Sequence, residues 1–143
     1  MIWSLKTSKY ISSFSPVEKA PITCMDINNG ANLCIFATSK ESISMNKFKY
    51  NEKKGFACGS PKLIKIETKK EGFSSLKFRP DDQLFVSCGW DKRVRVFNGK
   101  NGSPLAVLKS HTDVVNDLCF SPTNKSVFVT SSADKNICIW SLY

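Results

Sequence analysis

One pattern recurs in this chain at a fixed distance, and it narrows the available folds more than any other feature. Phe78-Arg79-Pro80 is followed 42 residues later by Phe120-Ser121-Pro122. Asp91-Lys92-Arg93-Val94-Arg95-Val96-Phe97 is followed 43 residues later by Asp134-Lys135-Asn136-Ile137-Cys138-Ile139-Trp140. The one-residue difference fits in the turn after the proline, where insertions are well tolerated. Ile2-Trp3-Ser4-Leu5 returns as Ile139-Trp140-Ser141-Leu142. Such self-similarity means that one structural unit is stacked on copies of itself, because a single unit cannot bury its apolar face alone.

Within each unit the hydrophobic period is two. Arg93 to Phe97 and Asn136 to Trp140 alternate polar and apolar residues, and Lys62 to Ile66 does so less strictly. Alternation over about five residues puts the two sets of side chains on opposite faces of a sheet. Turn formers separate the runs at Asn28-Asn29-Gly30, Arg79-Pro80-Asp81-Asp82, Asn98 to Gly102 and Ser121 to Asn124. No amphipathic helix is evident. The chain is therefore expected to be all-β. A period of about 40–45 residues with four strands per unit is that of a propeller blade. The units fall near residues 1–5, 10–48, 62–97 and 105–143. Expected strands are Pro21–Ile27, Leu33–Thr38 and Ser42–Asn46 in the first full unit. Leu63–Glu67 opens the second, and Val114–Phe120, Val127–Ser131 and Ile137–Trp140 form the third.

These residues resemble the WD-repeat family. The resemblance implies a hydrogen-bonded tetrad of His, Ser/Thr, Asp and Trp in each well-formed blade. Its spacing points to His111, Thr130, Asp134 and Trp140. Asp134 would accept from the imidazole and from turn amides. The imidazole would pass the link to Thr130, which would donate onward to the indole-bearing strand. The second unit carries a degenerate version, Ser87, Asp91 and Phe97, with no histidine before Gly72. In the first unit Lys40 stands where Asp is expected and Asn46 where Trp is expected. Gly89-Trp90-Asp91, Pro104 to Leu108 and the ending Ile139-Trp140-Ser141-Leu142-Tyr143 are similar to the C-terminal end of one group. That group is the G-protein β-subunit-like protein 1 family, called ASTRA-associated protein 1 in fungi. Its members are tied to the TTT co-chaperone machinery for PI3-kinase-like kinases and, in fungi, to chromatin regulation. The implied function is a non-catalytic scaffold or adaptor. The alternatives are another WD adaptor, for example one tied to ribosome assembly or RNA, and a G-protein β-subunit-like signalling protein.

Residues for chemistry are sparse. The one histidine, His111, is spoken for by the tetrad, and Ser110 and Asp113 are too close in sequence to form a triad with it unaided. Gly55 and Gly59 lack the Lys and Ser/Thr of a phosphate loop. Asp81-Asp82 reads as a turn. Six cysteines, Cys24, Cys34, Cys58, Cys88, Cys119 and Cys138, contain no C-x-x-C pair, so a zinc site is not expected. All but Cys58 lie in apolar strand-like runs and are expected to behave as buried hydrophobes. No enzyme activity, cofactor, metal or small-molecule substrate is expected. The longest apolar run, Leu33 to Ala37, is five residues, and no secretory signal is visible. Reduced thiols in the cytoplasm or nucleus are expected.

Partners are expected to be proteins. Trp90 precedes the turn Asp91 at a position where WD blades often dock partners, and Trp and Arg dominate interface hot spots. Arg93 and Arg79 are expected to flank it. The alternative for Trp90 is packing under a neighbouring loop. The net charge is 21 − 12 = +9. Eight lysines fall between Lys47 and Lys70 (Lys47, Lys49, Lys53, Lys54, Lys62, Lys65, Lys69, Lys70). Gly55 to Pro61 is expected to lie in a long connection, and this region is a secondary candidate for nucleic acid. Three units and one strand do not close a ring of the usual 4–8 blades. The chain is thus expected to be the C-terminal part of a larger propeller, with two open sheet edges.

Overall fold

Alternating residues punctuated by turn formers produce strands and no helix among the residues that the computed structural model describes, namely 2–4, 9–12, 19–51, 55–68 and 70–142. Strands β1 (Ile2–Ser4) and β2 (Lys9–Ser12) form an antiparallel pair. Strands β3 (Ile22–Ile27), β4 (Leu33–Thr38) and β5 (Ser42–Asn51) form an antiparallel meander. The long β5 has two partners. Its second half pairs with β6 (Gly55–Cys58), from Phe48↔Cys58 to Asn51↔Gly55. Its first half pairs with β7 (Lys62–Lys65), from Ser42↔Lys65 to Met45↔Lys62. The second sheet runs β8 (Phe73–Phe78), β9 (Leu84–Gly89), β10 (Val94–Asn98) and β11 (Pro104–Leu108) in sequence order. The third comprises β12 (Val115–Phe120), β13 (Val127–Ser132) and β14 (Ile137–Ser141). These are partial propeller blades.

Two expectations change. The stretch from Gly55 is not wholly a loop, because its first four residues are β6, hairpinned onto an extended β5. Phe48 and Tyr50 give that extension the aromatic, β-favouring composition a hairpin arm needs. The sequence units are also offset from the sheets. β7 and β11, which open the second and third units, pair backwards into the preceding sheets. Each outer strand is thus read from the next repeat, and neighbouring blades are tied by the chain itself.

Neighbouring blades pack face to face. β4 is buried at every position, as a strand covered on both faces must be. One apolar cluster joins the first and second blades through Ile35, Ile43, Met45, Ile64, Phe73, Leu76, Phe85 and Phe97. A second joins the second and third through Val86, Val94, Val96, Val115, Leu118 and Phe128. Each fully buried Phe contributes about 1.5–3 kcal/mol. An aromatic trio repeats with the blades. Phe85 stacks on Phe97 at 4.8 Å and meets Phe78 edge-on at 5.7 Å. Phe128 stacks on Trp140 at 6.0 Å and meets Phe120 at 5.4 Å.

Burial alone does not fix how one sheet slides on the next; polar links do. The Phe78 amide donates to Asp26 Oδ2 at 2.7 Å, and Ser75 Oγ donates to Asp117 Oδ1 at 2.7 Å. Asp82, at φ 59°, accepts the amides of Asn29 at 2.9 Å and Gly30 at 3.1 Å, and Asn28 Nδ2 at 3.1 Å. Asn28-Asn29-Gly30 and Asp81-Asp82 do form turns, and the second clasps the first. Asp81 in turn pairs with Lys125 of the third blade at 3.4 Å.

The cysteines divide by face. Cys34 and Cys88 are buried, Cys24 and Cys138 half-buried, and Cys58 and Cys119 exposed. Cys119 therefore departs from expectation. It sits on the side of β12 turned away from the second blade, as the exposed Ile137 and Ile139 of β14 do. Burial raises the thiols of Cys24 and Cys34 to about 11, which makes them poor nucleophiles.

The clasp gives a test. Asp82→Ala removes the acceptor of three hydrogen bonds between turns and is expected to cost about 1–2 kcal/mol in urea unfolding. Asp82→Asn, which tolerates the left-handed backbone and keeps an acceptor oxygen, is expected to cost less than half of that.

Candidate functional site

The β13–β14 turn shows how the local sequence positions the polar group at the edge of the third blade. Lys135 adopts φ 69°, which folds the chain back so that the Asn136 amide donates to Asp134 Oδ1 at 2.9 Å. The other carboxylate oxygen, Oδ2, receives the Thr112 amide at 2.9 Å and His111 Nδ1 at 2.9 Å. His111 Nε2 lies 2.8 Å from Thr130 Oγ1, and Trp140 Nε1 donates to the same hydroxyl at 2.9 Å. The structure thus brings His111, Thr130, Asp134 and Trp140 into one relay.

Donor counting sets its direction. The indole N–H can only donate, so Thr130 accepts from Trp140 and spends its own hydrogen on His111 Nε2. Nδ1–H then donates to Asp134. The onward donation by Thr130 towards the indole strand, expected from the sequence, is reversed: the hydroxyl donates to the imidazole. Every hydrogen in the chain has an acceptor, which a buried network requires. Burial pushes the Asp134 carboxyl up, but the Thr112 and Asn136 amides and His111 outweigh it and hold the carboxyl well below its ordinary range.

The second blade solves the same turn differently. Lys92, at φ 71°, is the counterpart of Lys135. Asp91 again faces into the turn, but its partner is Arg95. The guanidinium grips both carboxylate oxygens, with Nη1 at 3.0 Å from Oδ1. Arg95 is itself buried. Gly89 makes room for the pair, since a Cβ there would collide with the Asp91 carboxylate. Arg95 was not singled out from the sequence. Its place in an Arg-Val-Arg-Val alternation looks like one facing water, although Asp91 four residues earlier is a usable signal. Phe97 stacks on Phe85 and offers no donor, so the buried Ser87 hydroxyl has no hydrogen-bond partner among the described residues. Asn46 Oδ1, in the first blade at the Trp position, is likewise unpaired there. Lys40 pairs at the surface with Glu71 at 3.1 Å.

The residues expected to meet a partner do not form one cluster. Trp90 is half-buried and lies on Gly72, whose φ of 108° and missing side chain leave space for the indole. The Trp90 amide also donates to the Gly72 carbonyl at 3.1 Å. Arg93 is half-buried nearby in the same turn. Arg79 cannot flank them. It sits in the β8–β9 turn, and antiparallel pairing places that turn and the β9–β10 turn at opposite ends of β9. Six strand residues separate the ends by about 20 Å. Arg79 is instead bound to Asp81 at 2.7 Å.

The lysine-rich segment is spread over several elements. Lys47 and Lys49 lie on β5, Lys62 and Lys65 on β7, and Lys70 is exposed beyond it. Lys53, Lys54 and Lys69 lie outside the described residues. Lys62 donates to the Asn101 carbonyl at 2.6 Å. No group of three His, Cys, Asp or Glu side chains able to hold a metal occurs among the described residues.

The family model described as "WD domain, G-beta repeat" matches the chain twice, over residues 56–98 and 102–141. Each match starts ahead of an outer strand and ends with the third strand of the following blade. No curated protein matches the chain.

Equivalent hydroxyls in the two blades should respond oppositely. Thr130→Val keeps the shape but orphans the indole N–H and His111 Nε2, and is expected to cost at least about 2 kcal/mol. Ser87→Ala removes a hydroxyl that has no such partner, and stability should stay within about 0.5 kcal/mol or rise. Asp134 gives a pH test. Its carboxyl is lowered on folding from the ordinary 3.8. Its stabilisation is therefore fully present above that value and is lost as pH falls through the folded one. Asp134→Asn should be less stable at neutral pH and show a shallower decline below about pH 4 in urea titrations at stepped pH.

Proposed function

The chain belongs to the WD-repeat family, and we propose that it acts as a non-catalytic docking scaffold within a larger protein complex. The observation that carries this reading is the repeat itself, since WD repeats in general mediate protein–protein interaction. The polar groups that look chemical in the sequence support it. His111 and Asp134 are spent on one another and on turn amides, and Asp91 is spent on Arg95. They hold turns in place, and rigid turns are what a docking surface needs.

The finer proposal is a role resembling that of the G-protein β-subunit-like protein 1 and ASTRA-associated proteins, alongside the TTT co-chaperone machinery, in the cytoplasm or nucleus. Its support is the Gly89-Trp90-Asp91 core together with the Trp140-Ser141-Leu142-Tyr143 ending. Trp90 and Arg93 are the docking candidates we retain. They share one turn, and Trp90 keeps part of its indole open.

Affinity capture on the tagged full-length gene product, read by mass spectrometry, tests the proposal. TTT subunits are expected. Trp90→Ala should reduce their recovery several-fold, as for an aromatic anchor, while the melting temperature falls only modestly. Recovery of RNase-sensitive ribosomal precursors in their place would contradict it.

A further inference from the structure

Between the first and second blades, on the outer rim, lies a groove of about 520 Å³. One wall is β7 and the segment that follows it, residues 64–68; the other is formed by β10 and β11. Its floor is apolar, with Ile66 under one side and Phe97 at the base. Val107, on the outer strand β11, opens into it and is 49% exposed.

The rim is unequally charged. Lys65, Arg93 and Lys109 line it, and none of the three has an ion-pair partner among the described residues. Glu67 is the one carboxylate set against them, because the Asp91 carboxylate, also in the lining, is held by Arg95. Three free cations over an apolar floor fit an extended peptide that alternates large apolar residues with Asp or Glu. Single-stranded nucleic acid would also answer the charge, but it needs an aromatic face for base stacking. Phe97, the aromatic ring in this lining, is 1% exposed and already stacked on Phe85.

We propose that this inter-blade groove is a docking site for acidic, apolar-containing peptide segments of partner proteins. The proposal rests on the scaffold reading above and deepens it by naming a surface and a ligand chemistry. Apolar side chains of the segment enter over Val107 and Ile66. Its carboxylates meet Lys65, Arg93 and Lys109.

A display library of random octapeptides selected on the full chain tests this. Enrichment of sequences that combine Asp or Glu with Leu, Ile or Phe is expected. Their affinity should fall at least about tenfold in Arg93→Glu and in Lys109→Glu, and should fall with added salt. Lys109→Glu lies in an exposed connection, so folding is not at stake, and melting temperature checks this. No acidic enrichment, or enriched peptides indifferent to both variants, would overturn the groove. So would displacement of the peptides by oligouridylate at lower concentrations. If the capture experiment still recovers its partners from Lys65→Glu and Lys109→Glu chains, whose cations serve the groove alone, the groove fails and the scaffold stands. Loss of capture by Trp90→Ala alone leads to the same separation.

Discussion

A β-sheet whose two faces are both apolar has to be covered twice, and this requirement shapes most of the molecule. The full burial of β4 and the near-full burial of β9 have no other explanation. It is met by setting blade against blade, with one apolar cluster at each contact. Hydrophobic burial is non-directional, so the angle and height of each blade must come from elsewhere. Asp26, Asp82 and Asp117 supply them, each placed to receive hydrogens from the neighbouring blade.

The β9–β10 and β13–β14 turns pose one problem and receive two answers. In both, an Asp faces a left-handed Lys and draws in nearby amides. The third blade completes the Asp with a histidine, then passes the chain of hydrogen bonds to Thr130 and Trp140. The second has a guanidinium from its own sheet. A buried charge pair of this kind is strongly destabilising to break from one side, by about 3–5 kcal/mol, because the other charge is left stranded. The cost of the second answer is visible in Ser87, a buried hydroxyl retained without the partners its counterpart enjoys.

Much of this was open to reading from residues alone. The period of two located the strands to within a residue or so at most ends, and the resemblance to WD repeats, rather than the 43-residue offset, grouped the four members of the relay, since His111 has no counterpart one repeat earlier. What stayed hidden depended on contacts distant in sequence or on faces. Arg95 was hidden by an alternation that suits an exposed strand as well as one covered on both sides. Asp82 looked like an ordinary turn former, because its partners lie over 50 residues away. The β5–β6 hairpin was hidden by a Gly-containing, lysine-rich composition that reads as loop. Arg79 and Trp90 stand 11 residues apart in sequence, yet antiparallel pairing sends them to opposite ends of the blade.

A scaffold works by keeping its surface loops where a partner expects them. Here the relay that ends on Asp134 fixes the β13–β14 turn, and its direction is set by which imidazole nitrogen carries the hydrogen. Long-range proton–nitrogen correlation NMR on the selectively labelled histidine reads this directly. At neutral pH the hydrogen should sit on Nδ1 of His111, with Nε2 bare and accepting from Thr130. A hydrogen found on Nε2, with Nδ1 bare against the Asp134 carboxylate, would contradict the relay and the account of turn rigidity built on it.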